Sequence, residues 1–496
     1  MYENKIKKIV VAGGGTSGWL AAAAFSKLLG KNLDVCLIES DDIGRIGVGE
    51  ATIPPMRGFN RLLGIDEQEF MRSIQATFKL GIEFKNWAVK GDSYIHSFGS
   101  TGKDCWACDF QHFWLAGLKK GFTDDFGTYC VELQAAKAGK ILGSEKSGVN
   151  YAYHLDAGLY ADFLKKHALK FGAQRIEGKI DNVRISEKTG YIESLVLGDG
   201  QIIEGDIFLD CTGFSARLIG QALNTSYESY GHYLPCDAAI AVQTEGVANP
   251  RPYTQAIAHD AGWQWRIPLQ NRVGNGLVYS RRYMTDEDAE ALLLDSLESS
   301  PITETQMFTF QTGRRVKAWN KNCIAIGLTA GFLEPVESTS IHLAMSTILR
   351  LLKFFPKDYI DASRVNEFNM ESQEEFEKIR DFIILHYHAT QRDDSSFWRY
   401  CKDMDIPDSL KDRVSLFKQS AIFPLKEKEL FKVDSWLQVL LGQRIMPQSY
   451  HPIVDLMSDK ELSGFLSGLK KSVNDNVARM PLHQQFINDY CKAMPV

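Results

Sequence analysis

The chain predicts an α/β fold, a parallel sheet wound with helices, followed by a helical C-terminal region over 356–496. Three features carry that expectation. The stretch "KKIVVAGGGTSGWLAAAAFSKLL" (7–29) runs from an apolar strand through a glycine turn into an Ala/Leu helix. A second apolar strand, "LDVCLIES" (33–40), follows at once. Beyond 356 the pattern is mostly that of amphipathic helices.

The glycine turn is the first element with a chemical meaning. Gly13, Gly15 and Gly18 stand in G-x-G-x-x-G register, with Thr16 and Ser17 opening the helix. The first glycine permits a tight turn, the second lets a pyrophosphate approach the backbone, and the third lets helix and strand pack closely. The helix N-terminus offers unpaired N–H groups and a partial positive charge to phosphate. Glu39 ends the second strand 21 residues past Gly18, where an acid can accept hydrogen bonds from ribose hydroxyls. The order of strand, turn, helix, strand and acid predicts a bound dinucleotide.

Two later stretches favour FAD over NAD. "GVGEATIPPM" (47–56), with Gly49 and Ala51, is glycine-rich and non-helical where a nicotinamide domain would usually continue its alternating units. "IFLDCTGFSARL" (207–218) is an apolar strand ending in Asp210, with Gly213 in the turn behind it. Alone it reads equally as one more buried strand and turn. It resembles the second flavin fingerprint of the glutathione-reductase-like flavoproteins, and the two fingerprints together predict that fold with FAD bound. Gly327 and Leu328 are expected to join the flavin site. No other G-x-G-x-x-G follows a strand, so no pyridine-nucleotide domain is expected.

Composition sets the outer limits. With 496 residues, 44% apolar and 24% charged, the chain exceeds one hydrophobic core and has the profile of a folded protein. A net charge of −6 gives no reason to expect nucleic acid or an anionic membrane as partner. No apolar run approaches the ~20 residues of a membrane helix, and the N-terminus shows no secretory signal, so a cytoplasmic protein is expected. The nine cysteines are scattered, as in a reduced compartment. Cys105 and Cys108 have C-x-x-C spacing without a second pair, and two free thiols are the simpler reading; no metal is expected.

One stretch resists explanation by composition. "GWQWRIP" (262–268) sets Trp263 and Trp265 two apart on a strand, their indoles on one face, followed by Ile267 and Pro268. From the residues alone, two core tryptophans are the simpler reading. However, this run matches the W-x-W-x-I-P signature of the flavin-dependent halogenases, the group that includes the tryptophan halogenases. "GVGEATIP" (47–54), "TFKLGIEFKNW" (77–87), "YHLDAGLYADFL" (153–164), "GFLEPVESTSI" (331–341) and "FWRYC" (397–401) resemble family segments in family order. The likeness spans most of the chain. It implies a flavin monooxygenase-like FAD unit, over 1–90 and 150–355, an insertion over 91–149 near the substrate, and a helical substrate-side region over 356–496.

The resemblance also implies a chemistry. Reduced FAD (FADH2) and O2 yield an oxidant able to oxygenate an organic guest directly. The tryptophan pair walls that guest off while chloride or bromide, with iodide left open, enters and becomes hypohalous acid, which then travels a tunnel to the substrate. Ser338, Thr339 and Ser340 precede an apolar helix whose N-terminus suits an anion. Tryptophan halogenases usually carry glycine at the place of Ser340, which leaves halide preference open.

By pattern alone Lys79 is a solvated strand lysine, since Phe78, Leu80, Ile82 and Phe84 take the other face. In the family motif this lysine meets hypohalous acid. An ammonium polarises the O–X bond by hydrogen bonding, whereas a neutral amine, favoured if burial lowers the pKa, forms a haloamine. Glu337, directly before Ser338, is the motif's acid, suited to stabilising a cationic ring intermediate or taking its proton. Glu334 is its control, with no matching role. His96 and Phe98 match the aromatic pair that stacks on indole, though strand packing explains them equally.

After "FWRYC" the chain lacks the longer aromatic and acidic segment that clamps free tryptophan in tryptophan halogenases; Trp436 is expected in the following helix instead. An indole-like aromatic substrate is therefore expected, with free tryptophan poor. A separate NAD(P)H-dependent flavin reductase is implied, and a homo-oligomer, since family members are often dimers. An aromatic monooxygenase and a non-catalytic flavoprotein-like binding protein are the alternatives.

Overall fold

The computed structural model describes residues 6–44, 49–143, 147–425 and 428–494. Gly47 and Val48 of the "GVGEATIP" run lie outside the described residues. The chain divides into two compact units, each assembled from three separate stretches.

The first unit comprises Met1–Ala76, Leu155–His232 and Thr309–Glu377. Its six-stranded sheet runs in the order Trp319–Asn320, Cys323–Ala325, Ile207–Asp210, Lys8–Ala12, Asp34–Glu39 and Gln174–Glu177. All neighbours are parallel except the first pair. Ile9, Val10, Val11 and Ala12 of the central strand have no exposed surface, because both faces of a parallel sheet are covered, and this is why the strand reads as an unbroken apolar run. The helix Thr16–Leu29 is buried over Gly18–Ser26 and packs along the helix Ala157–Lys170. That second helix is capped by Asp156, whose carboxylate accepts from the Leu159 N–H at 2.9 Å.

The second unit comprises Thr77–His154, Tyr233–Phe308 and Lys378–Val496. Its seven-stranded sheet runs Gln306–Thr309, Ala238–Glu245, Arg272–Tyr279, Gly262–Pro268, Thr254–His259, Gly81–Lys85 and Ser93–Ser97. The W-x-W-x-I-P run is thus an interior strand, paired on both edges. Helices Ser396–Asp403, Asp408–Ser420, Val433–Gly442, Asp459–Ala478 and His483–Tyr490 make up the C-terminal part. Trp436 lies within the Val433–Gly442 helix, stacked on Phe423 at 4.8 Å. The helix Asp286–Asp295 starts at Thr285, whose hydroxyl accepts from the Asp288 N–H at 3.1 Å.

Candidate active site

In the first unit the fingerprint glycines are explained one by one. A Cβ on Gly13, which sits at φ +108°, would lie 2.4 Å from the Cys211 carbonyl oxygen, and one on Gly18 only 1.9 Å from that of Gly13. Among the described residues nothing lies within 4 Å of the corresponding place at Gly15. The turn is therefore closed on the strand side and open at its middle glycine, the cradle a pyrophosphate requires. Among the described residues no side chain caps the helix behind Gly15, and its first turn holds no acid, an arrangement that suits an anion at its amides.

Two acids expected at the cofactor prove to be tightly engaged. Glu39 accepts from Trp19 Nε1 at 3.1 Å, Lys165 Nζ at 2.9 Å and Arg175 Nε at 2.6 Å. Burial pushes its pKa up, but the hydrogen bonds from Lys165, Arg175 and Trp19 outweigh that and hold it at about 2. Asp210 is fully buried and raised by burial. Its Oδ1 accepts from the N–H and hydroxyl of Thr212, and its Oδ2 from the N–H groups of Leu218 and Ile219, at 2.7–3.1 Å. Two donors on each oxygen fill the carboxylate, which shapes the turn behind its strand and has no acceptor site to spare for a ligand. Gly327 sits at φ +70°, where a Cβ would meet Ser17 Oγ at 2.2 Å, with Leu328 following in the same short turn.

Further along this unit, Glu334 and Glu337 are both fully buried, so burial does not separate them. Ser338 takes the left-handed conformation at φ +58° and turns the chain into the helix Ser340–Lys353. Thr339, at the helix N-cap, is fully buried, and among the described residues it makes no capping bond and its hydroxyl oxygen has no hydrogen-bond partner. A buried hydroxyl with its proton uncommitted, beside uncapped helical amides, suits an anion.

In the second unit, Trp263 and Trp265 are both buried with ring centroids 6.3 Å apart. Trp263 continues into an aromatic layer through Trp87, at 6.4 Å, which in turn packs on Phe84, Tyr387 and Trp398. Trp265 lies across the neighbouring strand. Its indole occupies the space where a Cβ on its cross-strand partner Gly276 would be, 2.1 Å away. Ile267 and Pro268 complete the buried strand. Core packing and a rigid aromatic slab are thus the same arrangement here.

Lys79 departs from what strand alternation predicts. The run breaks into Thr77–Lys79 and Gly81–Lys85, and Lys79 has no exposed surface at all. Its Nζ sits 5.3 Å from the centre of the Phe98 ring, which brings together two of the residues singled out from sequence. His96 is buried against Phe382 and Phe431, at 5.6 and 6.2 Å.

Below Lys79 lies a polar network that sequence reading did not single out. Thr77 Oγ1 is 2.7 Å from the Pro268 carbonyl and 2.9 Å from His154 Nδ1, and His154 Nε2 is 3.0 Å from Thr254 Oγ1. The pairing of Thr77 with His154 needs the register between two strands far apart in sequence.

The model of the tryptophan halogenase family matches residues 8–459. The chain belongs to that family. The tryptophan 6-halogenase ThaL of Streptomyces albogriseolus is 35% identical over 444 residues, covering 84% of this chain and 82% of its own. Among solved structures, the flavin-dependent halogenase Xcc4156 from Xanthomonas campestris superposes with a TM-score of 0.98 at 52% identity, over 99% of this chain and 100% of that one. BrvH, a flavin-dependent halogenase from Brevundimonas sp. BAL3, gives 0.93 at 40% identity, over 98% and 99%. The α/β fold with its helical C-terminal region is the fold of the flavin-dependent halogenases, and this halogenase-family chain is an oxidoreductase. No helix among the described residues is long and apolar enough to cross a membrane.

Proposed function

We propose that this enzyme is an FADH2-dependent halogenase that places chlorine or bromine on an electron-rich aromatic of the indole type. The observation that carries the reading is Lys79, a fully buried amine against the face of Phe98, in the chain that also holds the buried tryptophan pair. A lysine without a task is seldom removed from water so completely.

The residues fit the flavin. Gly13, Gly15, Thr16, Ser17 and Gly18 would take its pyrophosphate, with Gly49, Ala51, Gly327 and Leu328 around the rest of the cofactor. When bound and reduced, FAD together with O2 supplies the two-electron oxidation of halide to hypohalous acid. Thr339, the helix amides behind it, and the flanking Ser338 and Ser340 hold the halide before that step. Lys79 receives the electrophile, either donating a hydrogen bond to hypohalous acid or carrying the halogen as a haloamine. The aromatic carbon gains the halogen, Glu337 takes the displaced ring proton, and the hydroxide left by hypohalous acid takes a proton from Lys79 and leaves as water; return of the Glu337 proton to the amine closes the cycle. His96 and Phe98 orient the flat guest, while Trp263 and Trp265 keep it from the oxidant. A separate NAD(P)H-dependent flavin reductase supplies FADH2.

The relatives' names point to tryptophan, yet the short segment after "FWRYC" leaves no clamp for an amino acid's ammonium and carboxylate. Indole is therefore expected to turn over well and free tryptophan poorly. The test is Lys79→Ala in an assay coupled to a flavin reductase, with bromide and a panel of indoles. Haloindole formation is expected to stop while halide-dependent hypohalous acid still accumulates. Undiminished haloindole from the variant would remove Lys79 from the mechanism.

A further inference from the structure

We propose that His154 is a positioning residue that fixes the strand carrying Lys79, with His483 holding the same strand at its free edge. This rests on the reading that Lys79 carries the halogen step.

The protons available to these groups fix the direction of each bond. A carbonyl oxygen only accepts, so Thr77 spends its single hydroxyl proton on Pro268, 2.7 Å away. Towards His154 Nδ1, at 2.9 Å, Thr77 Oγ1 must then be the acceptor, and Nδ1 carries the hydrogen. In the neutral ring that this tautomer describes, Nε2 accepts from the Thr254 hydroxyl at 3.0 Å. Three hydrogen bonds thus run one way, from Thr254 through His154 and Thr77 to the last residue of the W-x-W-x-I-P strand. Burial keeps His154 neutral by lowering its pKa well below the usual histidine range, and the charge of Lys79 and the nearby His483 reinforce this. Both ring nitrogens are engaged, so His154 is no proton shuttle for the amine.

Strand alternation places Thr77 and Lys79 on one face, with Phe78 on the other. At the edge turned away from the neighbouring strand the Phe78 N–H donates to His483 Nε2 at 3.2 Å, and His483 Nδ1 donates to the Pro250 carbonyl at 2.8 Å. Burial lowers His483 to about 4, so it too stays neutral. The clasp has a physical purpose. Thr77–Lys79 is only three residues long and the regular strand stops at Leu80, so the sheet ladder alone holds it weakly. A lysine has four side-chain torsions, and its amine is placed only as well as its backbone is.

The experiment compares His154→Leu, His154→Asn, Thr77→Val and Lys79→Ala in the reductase-coupled assay with bromide and indole. Two products are read: bromoindole, and hypobromous acid caught by a diketone trap. Because a displacement of ~1 Å can cost ~100-fold in rate, His154→Leu and Thr77→Val are expected to lower the ratio of bromoindole to trapped acid at least about tenfold. His154→Asn keeps a donor at the place of Nδ1 and is expected to restore most of that ratio. Thr77→Val is nearly isosteric and decides the matter if His154→Leu fails to fold. An unchanged ratio in Thr77→Val, or an equal fall of both products in every variant, would overturn the proposal. Bromoindole formation by Lys79→Ala would instead overturn the reading of the lysine, whatever His154 does.

Discussion

Thr339 is the residue on which the proposed halide site rests most directly. Among the described residues its hydroxyl is buried without a partner at a helix start that no side chain caps, a state that costs stability unless something accepts the proton. With halide as that acceptor, Thr339→Val loses one hydrogen bond to a charged group, and the halide KM is expected to rise about tenfold, measured by initial rates over a bromide series. Glu50 makes a second residue-scale prediction. Desolvation raises it to about 7, against about 4.5 for an ordinary glutamate. Between those values the folded protein keeps a proton that the unfolded chain has released. Stability therefore falls as pH rises from about 4.5 to about 7 and stays lower above, by on the order of 3 kcal/mol. Glu50→Gln, neutral throughout, is expected to raise the melting temperature over the parent at pH 8 and to leave it level near pH 4; an equal change at both pH values would contradict the assignment. Neither feature shows in the sequence. An orphaned hydroxyl and a desolvated carboxylate are properties of surroundings that folding supplies.

At the scale of elements, the glycine turn and the tryptophan strand were legible for different reasons. The turn's chemistry is local: three glycines at fixed spacing between a strand and a helix dictate their own geometry. Gly18→Val, whose Cβ would start 1.9 Å from the Gly13 carbonyl oxygen, is expected to pry the helix off the turn and lose FAD binding by fluorescence titration. The tryptophan strand is legible as a motif, but its packing is not. That Trp265 needs a glycine opposite depends on the pairing of Gly276 with it, which the separate stretches do not announce. Gly276→Ala sets a Cβ 2.1 Å from that indole, and overpacking of this kind costs about 1–3 kcal/mol, readable by urea unfolding. The lysine strand is the clearest limit. Period-two alternation sends Lys79 to water, but the break at Leu80 and the histidine clasp take it fully inside. Alternation describes a strand with one wet face, and this one has none. Asp210 repeats the lesson, since its position at a strand end suggested a ligand contact and its four donors turn out to be the protein's own.

For the whole molecule, the fold and the family were both within reach of the sequence, because motif order along the chain encodes them. The order conveys that the flavin unit is discontinuous, drawn from stretches within 1–90 and 150–355, but not where each stretch passes from one unit to the other. The flavin fingerprints join Thr309–Glu377 in one unit, while Lys79, the tryptophan strand and the C-terminal helices make the other. In the proposed function the enzyme delivers halogen rather than oxygen to its aromatic substrate. The most direct measurement is the mass of the indole product formed with FADH2 and O2, in the presence and absence of bromide. Bromine in place of hydrogen, with almost no product when bromide is left out, is the result expected. Oxygen incorporated into indole at the same rate with or without bromide would contradict it.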